Sequence, residues 1–386
     1  MRRTIFDDEH ELFREQVRRF VEAEVEPKVA AWNQAGASDR ETWRKAGAAG
    51  LLGAAAPEAY GGAGGSFLHD AIIMEEFARV RAHAMMVSLH SDICMPYLLH
   101  YGTDEQKERY LPGAVRGEIL LGIAMTEPGA GSDLQAIQTR ALREGDHYVV
   151  DGAKTFISNG QIGDLFIVVV KTDPEARPGR RGMSLILVEA DTPGFVRGRR
   201  LDKLGLRGQD TSELFFQGCR VPASQLLGGE GRGFYMLMEQ LQPERLSIAV
   251  ASMASCRRAL EDTLAYVKER RAFDRPIAAF QNTQFKLAEL ATEVEVGQAF
   301  VDALLGAHVR GEDVVTEVSM AKWWTTDLQK RLCGECVQLH GGYGFMREYP
   351  IAEDYADAAV QSIYAGSNEI MKVIIARRLG LDLARD

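Results

Sequence analysis

From Asp7 to Val25 the apolar residues fall at Phe13, Val17, Phe20, Val21 and Val25, spacing that predicts a helix with one buried face and Asp7 or Asp8 as its cap. Helical patterning resumes around 70–80 and 104–116, with Gly/Pro-rich breaks such as PEAYGGAGG (57–65) between. Between about 123 and 226 the pattern changes to short β-branched and aromatic runs: HYVV (147–150), FIVVV (166–170), SLILV (184–188) and ELFF (213–216). No helix long enough for a βαβ crossover separates them, so an antiparallel sheet or barrel is expected. From about 227 onward Leu246, Val250, Met253, Leu260, Leu264 and Val267 form one stripe, and Leu287, Leu290, Val294, Val301 and Leu304 a second. A third covers 319–339, stopped by Gly341-Gly342, and a shorter one follows Ser367; four such helices predict a bundle. The expected fold is α+β, with a helical domain over 1–122, a β domain over 123–226 and a four-helix bundle over 227–386.

Charge narrows the functions available. With 45 basic against 55 acidic residues, the net charge of -10 argues against a nucleic-acid binder. Five scattered cysteines fit a reducing compartment better than a disulfide framework. Cys333 and Cys336 lie in a helical pattern with no second pair, which predicts a packed helix face and no metal. The start, MRRTIFDDEHELF, has no apolar signal region, and no apolar run nears the ~20 residues of a membrane span. A cytoplasmic protein is expected, or a matrix protein whose transit segment is absent.

The common nucleotide and metalloprotease signatures are missing, and GEGRG (229–233) reads as a flexible turn before a helix. AMTEPGAGSD (124–133) is more informative, because its glycines would let a flat ring or an extended chain approach backbone donors. GAKTFISNG (152–160) and QLHGGYGF (338–345) follow at long range.

In that order and spacing, the three segments resemble the signatures of the acyl-CoA dehydrogenase family, and the resemblance covers nearly the whole chain. QPERLSIA (242–249), YVKERRAF (266–273), FQNTQFKLAEL (280–290), CVQLHGGYGF (336–345) and IYAGSNEIM (363–371) are most similar to its long-chain branch. The resemblance implies FAD held between the β domain and the bundle. Its contacts would be Ile123, Ala124, Met125, Thr126, Gly131 and Ser132, then Phe156, Ile157 and Ser158, then Ser367, Asn368 and Glu369. Arg270, Gln281, Gln338, Leu339, His340, Gly341 and Gly342 match positions that reach a neighbouring subunit's flavin, implying a homotetramer built as a dimer of dimers. Read singly, Arg270 is an exposed helix end, Gln281 a cap and His340 a satisfied core residue. Ser132, Tyr235, Gln242, Arg245 and Gly366 match substrate contacts, with a core or capping role equally open for Tyr235 and Gln242. The substrate would be an acyl-CoA, and the electron acceptor an electron-transfer flavoprotein.

Removing a proton α to a thioester needs a base at that carbon. Many members carry it as the Glu of an I-Y-E-G-T segment, but here the segment reads IYAGS, with Ala365 in that place. Glu244 is the expected replacement, because in the long-chain and isovaleryl branches the base sits in the matching E-R-L segment. The competing reading is a helix-start acid, with Pro243 as the first helical residue. A helix N-terminus favours ionisation by ~0.3–1 kcal/mol, whereas burial beside an acyl chain can raise a carboxyl by ~3–5 pH units, so a raised pKa is expected once substrate excludes water. The backbone N–H of Ala365 keeps the family's role of donating to the thioester oxygen, since that role does not depend on a side chain. Ala356 also departs from the common pattern, which has Arg there. An oxidase of the same fold and an inactive CoA- or flavin-binding subunit are the rival readings. Long or medium straight acyl chains lead on resemblance, with branched short chains and steroid side chains left open.

Overall fold

Asp7 caps the first helix, accepting from the His10 N–H at 3.0 Å, and Val17, Val21 and Val25 on its inner face are fully buried. This helix, α1 (Asp8–Phe20), runs on through a π turn over Val21–Val25. It is followed by α2 (Val29–Ala35), α3 (Arg40–Ala48), α4 (Phe67–Arg79), α5 (Met95–Tyr101) and α6 (Asp104–Val115). The computed structural model describes residues 3–381, so the outermost ends of the first and last expected domains lie outside the described residues.

The middle region is one sheet of β1 (Leu121–Ala124), β2 (Arg140–Glu144), β3 (His147–Ser158), β4 (Leu165–Lys171), β5 (Met183–Glu189), β6 (Phe195–Arg200), β7 (Thr211–Pro222) and β8 (Leu226–Leu227). Its order is β6-β7-β3-β2-β4-β5-β8, with β1 added beside β4. Most pairings are antiparallel, as expected, but β1 runs parallel to β4 and β2 meets β4 in parallel at one position. β4 and β5 are buried on both faces. Leu165, Ile167 and Val169 pack towards the first helical domain, while Phe166, Val168 and Val170 fill a separate core on the other side.

Five α-helices follow among the described residues: α7 (Gly233–Glu269), α8 (Gln281–Val309), α9 (Val315–His340), α10 (Pro350–Gln361) and α11 (Asn368–Arg378). The extra one, α10, buries Ile351, Asp354, Asp357, Ala358 and Gln361; three of these are polar, so no apolar stripe marked it. α7 begins ten residues before Pro243, which lies inside the helix rather than at its first position. That corrects the reading of Glu244 as a helix-start acid. Cys333 and Cys336 are fully buried on α9, as the pattern predicted. Residues of α1, α3 and α4 share one hydrophobic core with α7, α8 and α9, so the two helical regions brace each other. Among the described residues no helix is long and apolar enough to cross a membrane.

Candidate active site

Glu244 sits on α7 at 2% exposure, and the Tyr97 hydroxyl donates to its Oε1 at 2.9 Å. Burial pushes its carboxyl up to about 7, against the opposing pull of Tyr97 and Arg245. Because the residue lies within the helix, no N-terminal dipole offsets that burial. The raised value is therefore already present without a substrate to exclude water.

Arg245, next along, is also buried, and burial draws its guanidinium down to about 10 with Glu244 opposing. Its Nε is buried without a hydrogen-bond partner. Its Nη2 stands 3.8 Å from the point where Gly366 would carry a β-carbon. Ala365 and Gly366 adopt left-handed backbone, with φ of 52° and 85°. Among the described residues the Ala365 N–H has no acceptor. Lys322 of α9 fixes this turn, donating to the Gly366 carbonyl at 2.8 Å and to Asn368 Oδ1 at 3.1 Å. Asn368 in turn donates to the Trp323 carbonyl and to Asp327, and Ser367 caps α11 by accepting from the Ile370 N–H. Burial, with Arg245 second, draws the Lys322 ammonium down to about 8.

A second cluster forms where β1 leaves the sheet. Ile123 and Ala124 are buried in the strand. Beyond them, buried Lys154 donates to the Met125 carbonyl at 2.9 Å and to Glu127 Oε1 at 2.8 Å. Glu127 also accepts from the Gln138 and Thr139 N–H groups. The Thr155 N–H donates to the Thr126 carbonyl at 2.9 Å, tying the loop to β3. A bulge in β3 between Lys154 and Ile157 then turns Phe156 outward, with φ of 60° and the residue 67% exposed. Ile157 is buried, and Ser158 Oγ accepts from Gln209 at 2.6 Å. A β-carbon at Gly129 or Gly131 would meet no atom within 4 Å, and Ser132 is exposed beside them.

Flavin would suit this pair of clusters. Phe156 offers an uncovered ring on strained backbone, the glycine loop leaves open space beside braced polar backbone, and Arg245 Nε and the Ala365 N–H are unused donors.

The family-matched residues near the end of α9 lie elsewhere. Arg270, Gln338, Leu339, His340, Gly341 and Gly342 line an open depression of about 470 Å³ together with Tyr266 and Tyr343. The Arg270 guanidinium is exposed, 5.3 Å from the Tyr343 ring centre. His340 donates from Nδ1 to the Cys336 carbonyl at 2.8 Å and stacks on Tyr266 at 4.1 Å, so its ring is spoken for within the chain. Gln281 is exposed as the first residue of α8; Phe280, not Gln281, takes the cap position. Glu369 is exposed in the first turn of α11. Tyr235 is 40% exposed, edge-on to Phe234. Gln242 spends its amide on the loop after α8, donating to the Glu312 carbonyl and accepting from the Val314 N–H, both at 3.2 Å. Tyr97, Lys154, Glu127 and Lys322 were not singled out from sequence, because no motif marks a buried partner supplied by a distant element.

Three acyl-CoA dehydrogenase domain families match the chain in succession: the N-terminal domain over residues 7–118, the middle domain over 122–219 and the C-terminal domain over 231–380. The chain belongs to the acyl-CoA dehydrogenase family. The mitochondrial long-chain specific acyl-CoA dehydrogenase of Mus musculus is 50% identical over 380 residues, covering 98% of this chain and 88% of that one. Its Sus scrofa counterpart is 49% identical over 377 residues, with the same two shares. A crystal structure of an acyl-CoA dehydrogenase from Geobacillus kaustophilus superposes with a TM-score of 0.97 at 50% identity, covering 98% of this chain and 100% of that one. This acyl-CoA dehydrogenase is accordingly an oxidoreductase of acyl-CoA thioesters, built from a helical, a β and a second helical domain.

Proposed function

We propose that this acyl-CoA dehydrogenase binds FAD and converts straight long- or medium-chain fatty acyl-CoA to the trans-2-enoyl-CoA, with Glu244 as the base. The observation that carries the reading is a buried carboxyl, pushed up to about 7, whose neighbour Arg245 reaches a turn that offers a free backbone N–H in place of a family glutamate. When bound, FAD supplies the acceptor for the hydride that leaves the β carbon. Glu244 takes the α proton as that C–H bond breaks, and the electron pair left behind becomes the new Cα–Cβ double bond. The Ala365 N–H donates to the thioester oxygen as negative charge builds there. Arg245, buried beside both, stabilises the charge carried by Glu244 before the proton arrives. Electrons then leave to an electron-transfer flavoprotein, in the cytoplasm.

Met125, Thr126 and Ser132, with Phe156 to Ser158, would hold the cofactor from the β domain, and Ser367 to Glu369 from the bundle. The depression at Gln338–Gly342, with Arg270 and Gln281, would meet a neighbouring subunit of a homotetramer. The near-50% identity to long-chain enzymes over almost the whole chain favours long chains over short ones. Anaerobic mixing with acyl-CoAs of graded length and with isovaleryl-CoA tests the proposal. Flavin bleaching fastest with a long or medium straight chain supports it; bleaching with isovaleryl-CoA alone, or with none, refutes it.

A further inference from the structure

Tyr97 lies at the end of a buried stretch. Every residue of the π turn Leu89–Cys94 is buried, and α5 carries Tyr97 from it against α7 with its ring fully enclosed. A buried phenol needs a partner for its O–H. Among the described residues the partner is Glu244, and Tyr97 is the only side chain that hydrogen-bonds that carboxylate.

We propose that Tyr97 is a positioning residue for the dehydrogenation: its hydroxyl, bonded to Oε1, fixes the Glu244 carboxylate and leaves Oε2 as the oxygen that takes the α proton. This rests on the reading of Glu244 as the base. A carboxylate on a flexible side chain can rotate about its last bond at little cost. One directed bond from a rigid, enclosed ring removes that freedom and stabilises the charged form more than the neutral one. None of the other groups near the carboxyl holds its orientation by a hydrogen bond. Arg245 acts on it through charge, without a hydrogen bond, and the Cys94 thiol is itself kept protonated by burial. Lys322 of α9 faces Arg245 rather than Glu244, and Tyr101 bonds to Glu239 instead.

The test compares the parent enzyme with Tyr97→Phe, with 3-fluorotyrosine incorporated at 97, and with Glu244→Gln, measuring flavin reduction by an acyl-CoA from pH 5.5 to 9.5. The carboxyl titration is followed in parallel by difference infrared spectroscopy. Removing the hydroxyl is expected to move the acidic limb and the infrared titration up by about one pH unit. That is about a fivefold loss of rate at pH 7. The fluorinated ring, a stronger donor of the same shape, is expected to move both down. Limbs that stay in place in both Tyr97 variants, while Glu244→Gln abolishes reduction, overturn the role of Tyr97 and leave the base intact. Reduction that survives Glu244→Gln overturns the base and this inference with it.

Discussion

Arg245 Nη2 lies 3.8 Å from the position a β-carbon would take at Gly366, which sets the segment carrying Glu244 directly against the turn carrying Ala365. Through Arg245, the helix that carries Glu244 thus reaches the turn that carries Ala365. On the proposed reading, the base approaches from α7 instead of from the turn before α11.

Burial of Glu244 has a price in stability that depends on pH. Its folded pKa is raised from the ordinary 4.5 to about 7, so its favourable contribution is complete below the usual carboxylate range and is lost as pH rises through about 7. Glu244→Gln carries no such dependence. At ~1.4 kcal/mol per pH unit, the stability of the variant relative to the parent should rise by about 3 kcal/mol between pH 5 and 8.5. Denaturant melts at the two values check this, and a constant difference would count against the buried ionisation.

The Lys154–Glu127 pair braces the loop after β1, with the Lys154 side chain at 0% and Glu127 at 6% exposure. Burial draws the ammonium down to about 8 with Glu127 opposing, so it stays protonated at pH 7. Lys154→Met leaves Glu127 uncompensated and should cost about 3–5 kcal/mol. The visible-to-ultraviolet absorbance ratio of the purified variant should show loss of FAD. Adding Glu127→Gln should recover part of both.

Gly342 separates a single-chain role from a role between subunits. Its φ is not in the left-handed region, and an added β-carbon would meet no atom within 4 Å. Gly342→Val should therefore leave the protomer's secondary structure intact while reducing the assembly's mass and its FAD content. Light scattering that shows an unchanged oligomer with full FAD would remove this face from the interface.

Ala365 holds φ at 52°, a conformation glycine adopts at less cost, by about 1 kcal/mol. Since the proposed donor is its backbone N–H, Ala365→Gly should keep the flavin reduction rate within about twofold. Stopped-flow bleaching measures this directly, and a loss of tenfold or more would mean that the side chain itself takes part.

Periodic stripes made the long helices legible in the sequence, because Leu, Val and Met at helical spacing can be buried in only one way. The same logic fails for α10, whose buried face is largely Asp and Gln, and for the first turns of α7, where Pro243 looked like a beginning. Period-2 runs showed the sheet, but the parallel pairing of β1 with β4 joins strands 41 residues apart or more and leaves no local mark. Ala365 pointed to Glu244 because one position explained the other. Tyr97, 147 residues from Glu244, and Lys154, 27 from Glu127, act through contacts that only the folded chain supplies. The bulge that turns out Phe156 is likewise a property of pairing with β7, not of the residue.

The most direct measurement is the anaerobic bleaching of bound flavin by a long-chain acyl-CoA in Glu244→Gln beside the parent, at matched FAD content. Loss of a general base predicts a rate lower by at least 10²–10⁴-fold with thioester binding retained. Bleaching at the parental rate in the variant would contradict the account.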